Sequence, residues 1–241
     1  MFIGIWQLAY VLGIWPEVSL PSPATVAESF TKIILDYTLF KGIATTLARL
    51  VVGFSISIAL GAAIGFAMIK FKGFGKTMSS FSAGLLSFPS IAWVPFSILF
   101  VGYNDAGILF VIIMSSVFSI TISTYSSIRN IPLMYIDAAR NMGAKGISLF
   151  LHVTLPAATP SLIIGLRQGW SFAWHAIIGA EMLLSIIGLG HFLSVGRELQ
   201  DMGLVIVSMI TIFTIGLLVD RFLLFKLEEK VRSRWGLDRH R

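Results

Sequence analysis

The segment from Arg129 to Pro160, RNIPLMYIDAARNMGAKGISLFLHVTLPAATP, decides how this chain is read. It is too long for a simple turn and too patterned for disorder. Pro132 suits the first turn of a helix, where a missing N–H costs nothing. Leu133 to Met142 then predicts a short amphipathic helix, with Leu133, Ile136, Ala139 and Arg140 at helical spacing. Gly143 predicts its end, because glycine accepts the left-handed conformation. A second short helix is expected over Ile147 to Val153. Leu155-Pro156 is expected to break it and redirect the chain. Two uses fit such an element. Asp137-Ala138-Ala139 gives a low-profile helix able to enter a groove on a partner. The same helix could lie on lipid headgroups, since amphipathicity alone does not separate lipid from protein.

The flanking sequence is that of a membrane protein. Of 241 residues, 56% are hydrophobic and only 12% charged, with a mean hydropathy of +0.87. A soluble domain carries about 25% charge, so this chain lacks the polar groups to cover a water-exposed surface. The absence of cysteine excludes a disulfide scaffold, a thiolate metal site and a cysteine nucleophile. Crossing a bilayer takes about 20 apolar residues in a helix. Five full spans are expected: Leu50–Ile69 with a start near Ile43, Thr77–Asn104, Ala106–Ile128, Ser161–Leu184, and Met202–Val219 continuing to about Phe225. Met1–Trp15 is a sixth, short candidate of about 22 Å, ended by Pro16, Pro21 and Pro23. It lacks the basic flank and cleavage site of a signal peptide, and the start of this helix is expected to lie upstream.

Charge placement orients the spans. Lys70, Lys72, Lys76, Arg129, Arg140, Lys145 and the tail cations Arg221, Lys226, Lys230, Arg232, Arg234, Arg239 and Arg241 fall on one side if all six segments cross. Lys32, Lys41 and Arg197 fall on the other. By the positive-inside rule both termini are expected in the cytoplasm. The asymmetry accounts for the net charge of +6 without nucleic acid.

The fifth span reads as two-faced. Ser161, Gly165, Gly169 and Ala173 form a small-residue ridge of the kind that lets helices approach closely. Nearly opposite, Arg167, Trp170, Trp174 and Glu181 share one face. Charges in hydrocarbon are costly and commonly mark a pathway. Equally, Arg167 and Glu181, about 21 Å apart along the axis, could each sit near an interface with the indoles in aromatic belts. Gly53, Ser57, Gly61 and Gly65 make a second ridge, expected to pack within the chain or across a dimer. Pro89 and Pro95 are expected to bend the third span. Trp93 between them could stack on a ligand or simply pack. The fourth span is rich in Ser and Thr, including Ser115, Ser119 and Ser123, which can bond their own backbone or line a polar route. His175 has no second ligand at helical spacing, so a metal site is not expected. His152 and His191 are read as loop residues. No GxxxxGK[ST] phosphate loop is present.

The quoted stretch resembles a known pattern. Asp137-Ala138-Ala139, then Gly143 after three residues, then nine residues to Val153-Thr-Leu155-Pro156, is similar to the EAA loop of ABC-importer permeases, with Asp137 for Glu and Val153 for Ile. Leu20-Pro-Ser-Pro23, Phe88-Pro-Ser-Ile-Ala-Trp93-Val-Pro95, Gly165-Leu-Arg167, Gly179-Ala-Glu181-Met182 and Ile187-Gly-Leu-Gly190 look like the nitrate/sulfonate/taurine permease group, whose first span is longer than the one here. The resemblance implies an all-α polytopic membrane protein: five to six spans, a type I ABC-importer-like permease, one domain over 1–241, and a cytoplasmic coupling loop at about 129–160. It implies that Asp137, Ala138, Ala139 and Gly143 lie in or beside a coupling helix, with Leu155 and Pro156 linking it to the fifth span. Arg167, Trp170, Trp174, Glu181, Trp93, Pro89 and Pro95 would border the pathway.

The implied partners are an ATPase subunit dimer holding ATP and Mg, an extracytoplasmic binding protein and a second copy of this chain. No cofactor is implied on the chain itself, and the implied location is the inner membrane. A small anion such as nitrate or an organosulfonate is the implied solute, and Arg167 is compatible with one. An ion-coupled carrier would need coupling-ion groups and paired repeats. An intramembrane enzyme using His175 or Glu181 would need a second catalytic partner. Neither is evident in the sequence.

Overall fold

The computed structural model describes residues 2–16 and 19–235. Arg239 and Arg241 of the basic tail, and Met1 of the first segment, lie outside the described residues. All regular secondary structure among the described residues is helical. The elements in order are α1 (Phe2–Val11), α2 (Pro23–Leu35), α3 (Thr38–Lys70), α4 (Lys72–Leu86), a 3-10 turn (Ser90–Ala92), α5 (Trp93–Phe100), α6 (Asp105–Arg129), α7 (Leu133–Asn141) and α8 (Gly146–Leu149). They continue with a π turn (Phe150–Thr154), α9 (Leu155–Leu183), α10 (Leu189–Glu198), α11 (Met202–Leu218), a second π turn (Val219–Leu224) and α12 (Phe225–Arg234).

Four helical stretches are long and apolar enough to cross a membrane: Thr38–Lys70, Asp105–Arg129, Gly146–Leu183 and Met202–Arg234. The expected third span differs. It is a broken pair, Lys72–Leu86 and Ser90–Phe100, bent by 95°, and it makes a fifth crossing only if the pair counts as one. The break falls at Pro89, as expected. Pro95 makes no bend: it occupies the first turn of α5, where its missing N–H interrupts no hydrogen bond. The helix also starts earlier than expected, so Lys72 and Lys76 belong to α4 and only Phe71 links it to α3. At ten residues α1 is about 15 Å long and is not among the candidate crossings.

Helices α2 and α10 were not anticipated, and the last span runs on through α12 to Arg234 rather than ending near Phe225. In α2, Ser22 accepts a hydrogen bond from Thr25 N at 3.1 Å and Pro23 opens the first turn, a start signal written in the sequence. His191 lies in α10 and His152 in the first π turn, so neither is a loop residue.

The chain divides into two compact units, with boundaries inside α3, the 3-10 turn, α6, α9 and α11. One comprises Met1–Val52, Ile91–Val111 and Trp174–Leu217; the other comprises Gly53–Ser90, Ile112–Ala173 and Leu218–Arg241. In the second unit, α6 is received by both small-residue ridges. A Cβ at Gly53 would come within 2.8 Å of Ile112, and one at Gly61 within 2.8 Å of Ile120. Similarly, one at Gly65 would come within 2.6 Å of Thr124, and one at Gly169 within 2.9 Å of Ile120. Gly165 meets Ser123 in the same way. These ridges therefore pack within the chain. Ser161, at the end of its ridge, is exposed. On α3 and α11, Val51, Ile56, Leu60, Met209, Ile210 and Phe213 are exposed.

Candidate functional site

The 129–160 segment forms a helix–glycine–helix. Pro132 precedes the first residue of α7, one position earlier than expected. Ala139 is buried, and Ile136 packs on a cluster of Ile128, Ile131 and Ala158. Leu133, expected on the apolar inner face, is 73% exposed, together with Met134 and Tyr135. Helix spacing predicted the face at Ile136 and Ala139 but not at Leu133. Asp137 and Ala138 also face outward, and Asp137 pairs with Arg140 at 3.6 Å.

The spacing of Ala139 and Gly143 has a geometric cause. Gly143 N donates to Arg140 O at 2.9 Å and Ala144 N donates to Ala139 O at 2.9 Å. This is a Schellman ending, with Gly143 at φ +90° as its left-handed residue. Met142 and Ile147, 88% and 77% exposed, flank the turn. An apolar rim thus faces outward from a polar helix.

Leu155-Pro156 does not break the chain. Gly146 to Leu183 is one continuous helical stretch of 38 residues. Pro156 cannot donate to His152 O, and the five-residue π turn before it widens the coil at this point. Thr154 Oγ1 donates to Leu149 O at 3.3 Å inside this turn. Pro160 is likewise carried inside α9.

In the first unit, Glu181 is fully buried and clasped on several sides. Thr46 Oγ1 lies 3.0 and 2.8 Å from its two oxygens, Arg49 Nη1 donates at 3.0 Å and Gly190 N at 3.1 Å. Thr46 Oγ1 in turn accepts from Leu189 N at 2.9 Å. Arg49 also donates to Ile187 O at 2.7 Å and to Asp105 at 2.6 Å. Any Cβ at Gly188 would collide with the Glu181 carboxylate. Ile187-Gly-Leu-Gly190 therefore wraps the acid with backbone. Sequence reading singled out Glu181 but missed Thr46, Arg49 and Asp105. Trp174, also in this unit, is buried, and a Cβ at Gly216 would come within 2.9 Å of its Nε1. Trp93 is half-buried and meets Phe110 edge-on with ring centres 6.4 Å apart. Pro89, in the second unit, is exposed.

Also in the second unit, Arg167 forks onto Asp220, Nε to Oδ1 at 2.7 Å and Nη2 to Oδ2 at 2.6 Å, and reaches Glu228 at 3.0 Å. Trp170 is buried with Phe54 edge-on at 5.6 Å. Beside the Gly165 crossing lies a groove of about 420 Å³, lined by Leu86, Ser119, Ile122, Ser123, Ser126, Ser127, Asn130, Ser161, Ile164, Gly165 and Gln168. Ser116 and Thr121 bond their own helix backbone, whereas the buried Ser119 hydroxyl on the groove has no partner among the described residues. Among the described residues no cluster of three His, Cys, Asp or Glu could hold a metal ion.

Comparison with known proteins bears on the family and the fold. The family described as "Binding-protein-dependent transport system inner membrane component" matches residues 53–225. A protein of Escherichia coli (strain K12) bearing the name of an aliphatic sulfonates transport permease is 31% identical over 235 residues, 97% of this chain and 88% of that one. The nitrate import permease protein of Synechocystis sp. is 28% identical over 234 residues, 93% of this chain and 84% of that one. A solved structure of the MetNI methionine ABC transporter in inward-facing conformations shares the fold, with TM-score 0.67 and 19% identity over 82% of this chain and 97% of that one.

Proposed function

This chain belongs to the family of binding-protein-dependent transport system inner membrane components, and we propose its mechanism from that premise. It is a multi-pass inner-membrane permease subunit of an ABC importer. In such systems the ATPase is a separate subunit and a binding protein presents the solute. ATP and Mg belong to that ATPase, and no cofactor is expected on this chain.

Our reading of the coupling is as follows. The chain is one permease domain of the type I kind over 1–241, with five or six crossings, both termini in the cytoplasm and a second copy as its partner in the membrane. Helix α7 docks on the ATPase through the outward face that carries Asp137 and Ala138, bordered by Leu133, Met134, Met142 and Ile147. One observation carries this: large apolar side chains stand exposed on a short, polar, capped helix whose other side is anchored. Isolated helices this short are marginal in water, so the anchoring and the Schellman ending hold a surface that needs a partner. Gly143 lets the turn close. Leu155 and Pro156 lie inside one unbroken stretch from α8 to the end of α9, so a push at the loop would travel along a shaft rather than across a hinge.

We assign the solute route to the hydroxyl- and amide-lined groove beside Gly165, within the second unit. Arg167, Trp170, Trp174 and Glu181 then act as positioning residues, because each is engaged within the chain. The solute we propose is a small anion such as nitrate or an organosulfonate, supported by the relatives' names. Since Asp220 and Glu228 neutralise Arg167, selection for charge falls mainly to the binding protein. Calorimetry of the cognate binding protein with nitrate, alkanesulfonates and uncharged analogues checks this; a preference for uncharged compounds would refute the anion assignment.

The test of docking is copurification with the cognate ATPase subunit. Wild type is expected to retain it. Ala138→Arg is expected to release it while leaving the permease folded. Full retention by Ala138→Arg, with normal transport, would contradict the docking surface.

A further inference from the structure

We propose that the cavity behind α7 is a binding site for an anionic phospholipid of the inner leaflet. The cavity, about 880 Å³, lies within the second unit. It is bounded by the ends of α3 and α6, the start of α4, α7, α8 and the first π turn. Its floor is apolar: Phe66, Ile69, Ile128 and Phe150 line it, and the rings of Phe66 and Phe150 meet edge-on at 5.5 Å. Its rim is basic. Lys70, Lys72, Lys76, Arg129 and Arg140 all line it, and no Asp or Glu does.

The cations are available. Among the described residues, Lys70, Lys72, Lys76 and Arg129 make no ion pair; only Arg140 has a carboxylate, Asp137 at 3.6 Å, with both side chains 62% exposed. Arg129 is held in place, donating to Tyr125 Oη at 3.0 Å and lying over the same ring at 5.7 Å. Five cations from four segments converge on one opening, which is the charge pattern of a phosphate group's receptor. The volume falls in the range of pockets for ligands of drug size, far more than a bare phosphate fills, and the floor can offer such an ion nothing. A headgroup on the rim with the first acyl carbons on the floor satisfies both halves. The inference rests on the reading above that this loop is at the cytoplasmic interface. A lipid seated there would touch Ile136 and Arg140 of α7 from the side opposite the ATPase and so brace the coupling helix.

Native mass spectrometry of the complete transporter in neutral detergent tests this. It is incubated with phosphatidylglycerol, phosphatidylcholine or inorganic phosphate. The wild type should retain phosphatidylglycerol in preference to phosphatidylcholine. Lys72→Gln with Lys76→Gln and Arg129→Gln should weaken retention by on the order of a hundred-fold, near five-fold for each charge removed. Leu149→Trp, which keeps every charge and fills the cavity, should also weaken it. A charge-matched control, Lys226→Gln with Lys230→Gln and Arg234→Gln, should retain the lipid.

The inference is overturned if both lipids bind alike, if the control loses as much as the cavity variant, or if inorganic phosphate binds as well as the lipid. It is also overturned if the cavity variant sheds the ATPase subunit with lipid retention unchanged, which would mark a protein-docking surface. Loss of lipid selectivity from a complex with its ATPase still attached would remove this site and leave the coupling reading intact. Failure of the wild-type chain to hold the ATPase would remove the coupling reading instead.

Discussion

Arg49 and Glu181 are 132 residues apart in sequence and 3.0 Å apart in the structure. Each is a liability alone: a charge inside an apolar span costs several kcal/mol unless paired. With Thr46, Gly190 N, Ile187 O and Asp105 around them, every side-chain nitrogen and oxygen of the pair except Arg49 Nε has a hydrogen-bond partner. Arg49→Ala leaves the buried Glu181 without a cation and is expected to destabilise the chain by about 3–5 kcal/mol, whereas Glu181→Ala leaves Arg49 paired with Asp105 and should cost less. Arg49→Met combined with Glu181→Met should cost less than Arg49→Ala alone. Thermal unfolding of the purified chain in detergent measures this; single variants as stable as wild type would show the cluster to be dispensable. Sequence reading found Glu181, because an acid in an apolar run stands out, and also quoted Ile187-Gly-Leu-Gly190. It could not join them to Arg49, since helical spacing reports only neighbours three or four residues away. The same limit hid Asp220 and Glu228 from Arg167.

Among the elements, local chemistry was legible where the signal is local. Pro132, the amphipathic run and Gly143 give α7 and its end within a residue. The long apolar runs give α3, α6 and α11, and the small-residue ridges of α3 and α9 find α6. Legibility failed where a helix breaker is absorbed. Pro156 reads as a break because proline removes an N–H, yet a π turn takes up the mismatch and the stretch runs on. Ser22-Pro23 is both the end of one apolar segment and the start of α2, and only the first meaning was read. At Gly143 the constraint is conformational, not spatial: a Cβ there would meet nothing within 4 Å, but φ is +90°. Gly143→Val should therefore cost about 1–2 kcal/mol locally and fray α7 without unfolding the spans. In reconstituted transporter, ATP hydrolysis should continue while transport per ATP falls roughly ten-fold. Unchanged stoichiometry would mean that the turn does not set coupling.

For the molecule as a whole, composition already required a membrane, and the motif spacing pointed to a permease driven by a separate ATPase. The family match bears that out. What ties the scales together is an exposed apolar rim on a helix that continues, past one tight turn, into a 38-residue stretch long enough to cross the bilayer. Because the chain contains no cysteine, Met142→Cys introduces a single reactive thiol at the most exposed point of that rim. Cross-linking from this position to single-cysteine variants of the ATPase subunit, with and without ATP, tests the central claim most directly. The account predicts a cross-link to the ATPase whose yield changes when ATP closes the ATPase pair. A thiol that labels from the external face, or that never cross-links to the ATPase in a functional transporter, would contradict it.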